Sequence, residues 1–240
     1  MTRRIVSRDA WLEARMKHLE DEKAFTRARD ALSARRRALP WLRVEKDYVF
    51  QSAQGPRTLH DLFAGKSQLI VMHFMFGPDW DEGCPSCSFW ADGYSGLEVH
   101  LAHRDTSLVA VSNTGVEKIE RYRDRMGWTF DWVSSLGSEF NADHHVTFDP
   151  SDVAAGSVFY NYRSGGFPST EAPGLSIFHR PDPETIVHTY STYSRGLDMM
   201  NAAYHLMDLL PKGRDEAAGT FPMSWLRRKD QYEFQSSTAT

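Results

Sequence analysis

The chain has 240 residues, of which 41% are hydrophobic and 25% charged, with a net charge of -4. That composition excludes disorder and fibre and allows one sizeable buried core, with or without a helical appendage. No stretch approaches the roughly 18 apolar residues of a membrane span, and the N-terminal "MTRRIVSRDAWLEARMK" lacks the apolar segment of an export signal, so a cytoplasmic location is expected.

Charge is unevenly spread: 13 of the 28 Lys and Arg fall in the first 46 residues, against 7 acids. Bases and acids are interleaved there ("LEDEKAFTRARD"), which reads as a solvated helix face and not as a nucleic-acid-binding arm. Ser7 can cap a helix of about thirty residues without Gly or Pro, which Pro40 ends. Its apolar positions, Leu12, Met16 and Leu19 and then Phe25, Ala28 and Leu32, make a stripe suited to core packing or to a homodimer. Residues 1–40 are therefore a helical arm, 41–213 the main domain and 214–240 a C-terminal tail, packed by Phe221 and Trp225 and fraying after Phe234.

Within the domain, "YVFQS" predicts a strand, "GPRTLHDLFAGK" a turn with a short helical piece, and "QLIVMHFMF" a strand buried on both faces. A helix from Cys84 towards His103, a strand "SLVAVSN", a helix "GVEKIERYRDRM" and a strand "WTFDWVSS" follow. Alternating strands and helices call for a partly parallel sheet. "SVFYNYR", "GLSIFHR" and "TIVHTYSTY" are joined by short turns and predict antiparallel strands, and "LDMMNAAYHLMDLLPKG" a closing amphipathic helix. The fold class is thus α/β: a mixed sheet flanked by helices, with a long N-terminal helix.

Both cysteines, Cys84 and Cys87, lie in "HFMFGPDWDEGCPSCSFWADG". A reducing compartment makes a C-x-x-C pair a redox couple or half of a metal site, with two inert buried thiols as the third reading. At a helix start, unpaired N–H groups and the positive dipole end favour a thiolate, and Pro85 suits the first turn because its missing N–H is not needed there. Cys84 then attacks a disulfide and Cys87, one turn on, resolves the mixed disulfide. Asp79, Asp81 and Glu82 oppose ionisation of Cys84. Phe89, Trp90 and Tyr94 read as core; Trp80, beside Pro78 in a loop, is a candidate substrate contact, as are Pro85 and Ser86. His144 and His145, adjacent in a presumed strand, point to opposite faces; with Cys84, Cys87 and His73 one of them can complete a zinc or copper site, the minority reading.

A strand, a turn and C-x-x-C opening a helix resemble the thioredoxin-like superfamily. The blocks "FTRARDALSARRRALPWLRVEKDY", "FGPDWDEGCPSCSFWADG", "VAVSNTGVEKIERYRDRMGWTFDWVSSLGSEFN", "PGLSIFHR" and "HTYSTYSRGLDMMNAAYHLMDLLPKGRDE" resemble the bacterial DUF899 family over nearly the whole chain. One departure is "ADHHV", where the family's aromatic and glycine run is expected. The resemblance implies a thioredoxin-like dithiol-disulfide oxidoreductase with no cofactor, acting on a protein or low-molecular-weight disulfide and recycled by an unidentified reductant. The alternative is a non-catalytic thioredoxin-fold module that binds a metal or small ligand in the same pocket.

The segment "GPRTLHDLFAGKSQLIVMHFMF" is similar to the opening of peroxiredoxins, which extend the same fold. Their Pro-x-x-x-Thr/Ser-x-x-Cys frame meets Gly77 and Asp81 before Cys84, and Trp80 and Cys84 before Cys87, so ordinary peroxide reduction is disfavoured. Where thioredoxins place a buried acid, this chain has His73. The resemblance makes His73 an acceptor for the Cys87 proton, against a plain core histidine. Pro173 stands where those proteins carry a cis-proline facing the dithiol; a trans turn proline is the other reading, and Pro168 a competing candidate.

Overall fold

A computed structural model describes residues 4–218 and 221–233. The expected fraying after Phe234 lies outside the described residues. The chain divides into two compact units, Met1–Trp41 and Leu42–Thr240. In the first, α1 (Arg8–Arg37) starts where the Ser7 hydroxyl accepts the Ala10 N–H at 3.3 Å, and Ala38 caps its end. No side chain of α1 is buried, and Leu12, Met16 and Phe25 of the apolar stripe are exposed. Among the described residues no helix is long and apolar enough to cross a membrane.

The second unit opens with β1 (Leu42–Arg43), β2 (Val49–Ser52), β3 (Gly55–Thr58) and α2 (Leu59–Leu62). Next come β4 (Gln68–His73), α3 (Pro85–Ala91), α4 (Leu97–Ala102), β5 (Thr106–Ser112), α5 (Val116–Met126) and β6 (Asp131–Ser134). Two short helices, α6 (Phe140–Asp143) and α7 (Pro150–Ala155), precede a hairpin of β7 (Val158–Tyr160) and β8 (Arg163–Gly165). Then β9 (Gly174–His179), β10 (Val187–Tyr193), a 3₁₀ turn at Ser194–Met200 and α8 (Ala202–Asp208) complete the succession.

Eight strands form one sheet in the order β1-β10-β9-β4-β5-β6-β2-β3. The crossover helices make β4, β5 and β6 parallel, whereas β9 pairs antiparallel with β4, and β10 antiparallel with β9. Near-continuous apolar runs in β4 and β5 are explained by cover on both faces. Alternation sorts their side chains: Met72, Leu108, Ala110 and Trp132 join one core with α3 and α5, while Leu69, Val71, Val109, Val111 and Val133 join a second core with Phe50, Phe140 and Phe178.

Four local expectations are corrected. Gly55–Thr58 is a strand, because a two-residue turn folds it onto β2. The helix from Cys84 is broken into α3 and α4, since Gly96 adopts φ 91°, a left-handed conformation that a side chain resists. "SVFYNYR" turns back at Asn161 and Tyr162, both at positive φ, into the separate β7–β8 hairpin. The closing helix is interrupted at Asn201, whose side chain accepts the Tyr204 N–H at 3.0 Å and starts α8 afresh. In the described part of the C-terminal segment Trp225 packs as expected, edge-on against Phe89 at 5.8 Å, and Leu226 is buried, whereas Phe221, expected to pack, is exposed.

Trp132, 2% exposed, links the strand ends by donating to Ser112 Oγ at 3.0 Å, and that hydroxyl donates to the Phe74 carbonyl at 2.7 Å. Trp132→Ala should therefore lower unfolding free energy by about 3–5 kcal/mol in urea titration; a loss below about 1 kcal/mol contradicts this placement.

Candidate active site

From the end of β4 the chain runs through buried Phe74 and Phe76 into the loop 77–83 and reaches Cys84, the residue that caps α3. Backbone bonds fix this path. Phe74 N–H donates to the Val111 carbonyl at 2.9 Å, and Cys84 N–H to the Met75 carbonyl at 3.0 Å. Lys118 Nζ holds the loop by donating to the Pro78 and Trp80 carbonyls at 2.7 and 3.0 Å. Gly83 is required by close approach: a Cβ there would meet Phe74 at 2.6 Å and Tyr122 at 2.9 Å.

The C-terminal segment closes the loop from outside. Arg228 donates to the Gly83 carbonyl at 2.6 Å and to the Tyr122 hydroxyl at 2.8 Å, and pairs with Glu82 at 2.7 Å. Arg125 also pairs with Glu82. The Glu82 charge, expected to oppose thiolate formation, is thus compensated by two guanidinium groups.

Cys84 is half-buried and Cys87 is buried, and both are free thiols. Donation from the Cys87 thiol is the main cause that lowers Cys84 to a pKa of about 6, helped by the Cys87 and Ser86 N–H groups and the Ser86 hydroxyl, against desolvation. The same hydrogen bond pushes Cys87 well up, and burial adds to it. Met75 N–H reaches the Cys87 sulfur at 3.4 Å and stabilises whatever negative charge develops there. One thiol of the pair therefore ionises more easily than a free cysteine and the other holds its proton.

Both sulfurs face a cavity of about 460 Å³. Ser86 and Pro173 lie on its lining; Trp80 and Pro85 do not. Trp80 folds back over the loop turn, where its ring would lie 3.0 Å from a Cβ on Gly77, and Pro85 occupies the first turn of α3. Pro173 is trans, because all described peptide bonds are. The chain enters β9 extended, held by the Thr147–Glu171 bridge and by Ala172 N–H donating to the Val146 carbonyl at 2.8 Å, and this path needs no cis turn. Sequence reasoning missed Tyr160, Phe167 and Met223, which also line the cavity. They come from the hairpin and the C-terminal segment, and aromatic residues in such segments carry no local mark of what they cover.

His73 lies on the lining of the same cavity, but its ring is engaged elsewhere. Strand alternation turns its ring to the opposite face of the sheet, where it stacks on His144 at 5.6 Å and shares a hydrogen bond with Ser176 Oγ at 2.7 Å. Ser176 continues to Ser191 at 2.7 Å, and Ser191 to His188 Nε2 at 2.7 Å, making a buried chain from His73 to His188. His144 follows α6 instead of lying in a strand, and His145, at φ 55°, turns away to pack on Phe159 at 4.7 Å. These rings are engaged away from the dithiol, so the imagined Cys/His metal set is not assembled. Among the described residues no group of three or more Cys, His, Asp or Glu is placed to hold a metal ion.

A parallel β6-β5-β4 run continued antiparallel by β9 and β10, with C-x-x-C opening the helix after the central strand, defines a thioredoxin-like fold. The chain belongs to the family described as "Bacterial protein of unknown function (DUF899)", whose profile matches residues 1–232. No curated protein matches it. Among solved structures, peroxidoxin BcpB from Mycobacterium tuberculosis is similar at 13% identity, over 68% of this chain and 93% of that one, with a TM-score of 0.46. Peroxiredoxin Q from Xanthomonas campestris is similar at 15% identity, over 66% of this chain and 90% of that one, with a TM-score of 0.41. A putative thiol-disulfide oxidoreductase from Bacteroides vulgatus shares 17% identity over 41% of this chain and 64% of that one, with a TM-score of 0.31.

Burial lowers the pKa of His73 well below 6.5, that of His144 to about 4, and that of His188 as well. The unfolded chain binds protons on these rings near pH 6.5 and the folded chain does not, so stability is full above that pH and falls as pH drops toward the folded values. Glu171 opposes this: burial raises it to about 7, so its contribution is present at low pH and is lost as pH rises through 7. Three imidazoles outweigh one carboxyl, and the expected net loss on acidification from pH 6.5 to 5 is roughly 1–3 kcal/mol per pH unit. Urea titrations across this range should show that slope, reduced by about 1.4 kcal/mol per pH unit in His73→Phe; an equal slope in wild type and variant contradicts the assignment.

Proposed function

We propose that the protein is a cytoplasmic dithiol-disulfide oxidoreductase in which Cys84 is the nucleophile and Cys87 the resolving thiol. The observation that carries this reading is the placement of the pair, Cys84 at the start of α3 and Cys87 one turn on, buried, with Met75 N–H directed at its sulfur; this arrangement makes Cys84 acidic enough to be largely thiolate at neutral pH while Cys87 keeps its proton.

The Cys84 thiolate attacks one sulfur of a substrate disulfide, forming a new S–S bond and expelling the other half as a thiolate, which takes a proton. Cys84 then carries no negative charge and accepts no proton from Cys87. The main cause that raised Cys87 has vanished, and its thiol becomes easier to ionise. With Met75 N–H directed at its sulfur, Cys87 attacks Cys84, and the second substrate thiolate leaves with the remaining proton. Two electrons pass to the substrate, and a thiol reductant returns the Cys84–Cys87 disulfide to the dithiol. His73, its ring engaged with Ser176 and His144, takes no part.

Cys84→Ser should abolish disulfide exchange, whereas Cys87→Ser should still attack and accumulate mixed disulfides visible by intact-protein mass spectrometry. Wild type and Cys87→Ser that both leave disulfides untouched would contradict the reading and leave the cavity as a binding pocket.

A further inference from the structure

The cavity above the dithiol has features that an opening for polypeptide substrates would lack. Met75, Trp90, Tyr94, Tyr160, Phe167 and Met223 supply walls on several sides, and Cys87, the deeper sulfur, is 3% exposed. A volume of about 460 Å³ lies in the range of small-molecule sites, roughly 300–1,000 Å³. Ordered polypeptide would have to bring its disulfide into this recess between the hairpin and the C-terminal segment.

Backbone groups that could pair with an extended peptide are already engaged. Beside Pro173, the Ala172 N–H donates to Val146, and the Pro173 carbonyl accepts the Tyr160 hydroxyl at 2.8 Å. Two residues earlier, Glu171 is bridged to Thr147. Strand addition at this edge would break those bonds before making its own.

The guanidinium groups on the lining are likewise already engaged, whereas Glu216 is held by neutral donors. Arg214 pairs with Asp198 at 3.0 Å and Asp208 at 2.9 Å and lies over the Tyr204 ring at 3.9 Å. Arg195 pairs with Asp198 at 3.1 Å. Glu216 accepts from the Tyr204 hydroxyl at 3.0 Å and from Trp225 Nε1 at 3.2 Å. A substrate carboxylate entering here would be desolvated against guanidinium groups already paired with Asp198 and Asp208.

Resting on the oxidoreductase reading, we infer that the substrate is a low-molecular-weight disulfide without carboxylates, with apolar, preferably aromatic, substituents. One substituent sits among Trp90, Tyr94 and Phe167 and presents its sulfur to Cys84. The reaction is RSSR plus protein dithiol giving two RSH and the Cys84–Cys87 disulfide: both thiol protons end on the products, and a dithiol reductant reverses the protein half.

Exchange rates with bis(2-phenylethyl) disulfide, bis(2-hydroxyethyl) disulfide, glutathione disulfide and insulin test this, each divided by the rate of dithiothreitol with the same disulfide to remove intrinsic reactivity. Burial of one phenyl group predicts a roughly 30-fold normalised preference for the phenylethyl over the hydroxyethyl compound. Glutathione disulfide and insulin should fall below both. Phe167→Ala and Met223→Ala should each reduce the phenylethyl-to-hydroxyethyl ratio several-fold, a ratio that needs no correction for the amount of folded protein. Exchange through Cys84 without the apolar preference, or with insulin preferred, overturns this inference and leaves the oxidoreductase reading standing. A faster reaction with an apolar hydroperoxide than with any disulfide overturns the substrate class. Absence of exchange with all four disulfides overturns both.

Discussion

The placing of Cys87 beside Cys84, one helical turn on at the start of α3, sets the chemistry of the site. It lowers one pKa and raises the other, so two chemically identical side chains become different reagents. It depends on the loop 77–83 delivering Cys84 to the start of α3 at a fixed height. Loop position is in turn held by the Cys84–Met75 backbone bond, the tight contact of Gly83 with Phe74 and Tyr122, and the Arg228 clamp from the far end of the chain. Burial strengthens the interaction of the two thiols because little water competes for either sulfur.

The sheet divides the buried polar groups into two sets. Odd-numbered residues of β4 face Phe140 and Phe178, and even-numbered residues face α3 and the dithiol. His73 therefore belongs with His144, Ser176, Ser191 and His188, a set whose rings are kept neutral by burial and whose properties bear on stability. The dithiol face is aromatic and thioether-rich, and the arginines on its rim are paired with Asp198 and Asp208. A thiolate in such surroundings is stabilised by directed donors and not by bulk solvent.

Much of this was legible in the sequence because its signals are local. The strands β4, β5 and β6 announce themselves as apolar runs, α5 by its periodicity, and Cys84-Pro85-Ser86-Cys87 by opening a helix after a buried strand. Pro173 and Ser86 were placed at the site by their positions relative to β9 and α3. What escaped is non-local. Strand parity at a single residue decides which face His73 occupies, and alignment across a loop longer than that of thioredoxin could not fix it. The isomer of Pro173 follows from the pairing of the preceding Glu171 and Ala172 with Thr147 and Val146, far away in the chain. The roles of Tyr160, Phe167, Met223 and Arg228 depend on where a hairpin and a C-terminal segment come to rest, which no spacing rule records.

Thiolate absorbance near 240 nm, followed as a function of pH in the reduced protein, tests the effect of Cys87 on Cys84 most directly. Wild type should gain one thiolate with a midpoint near pH 6, and in Cys87→Ala that midpoint should move up toward the ordinary range of a free cysteine, about 8.5. A wild-type midpoint at or above about 8, or one near 6 that is unmoved in Cys87→Ala, would show that Cys87 does not set the acidity of Cys84.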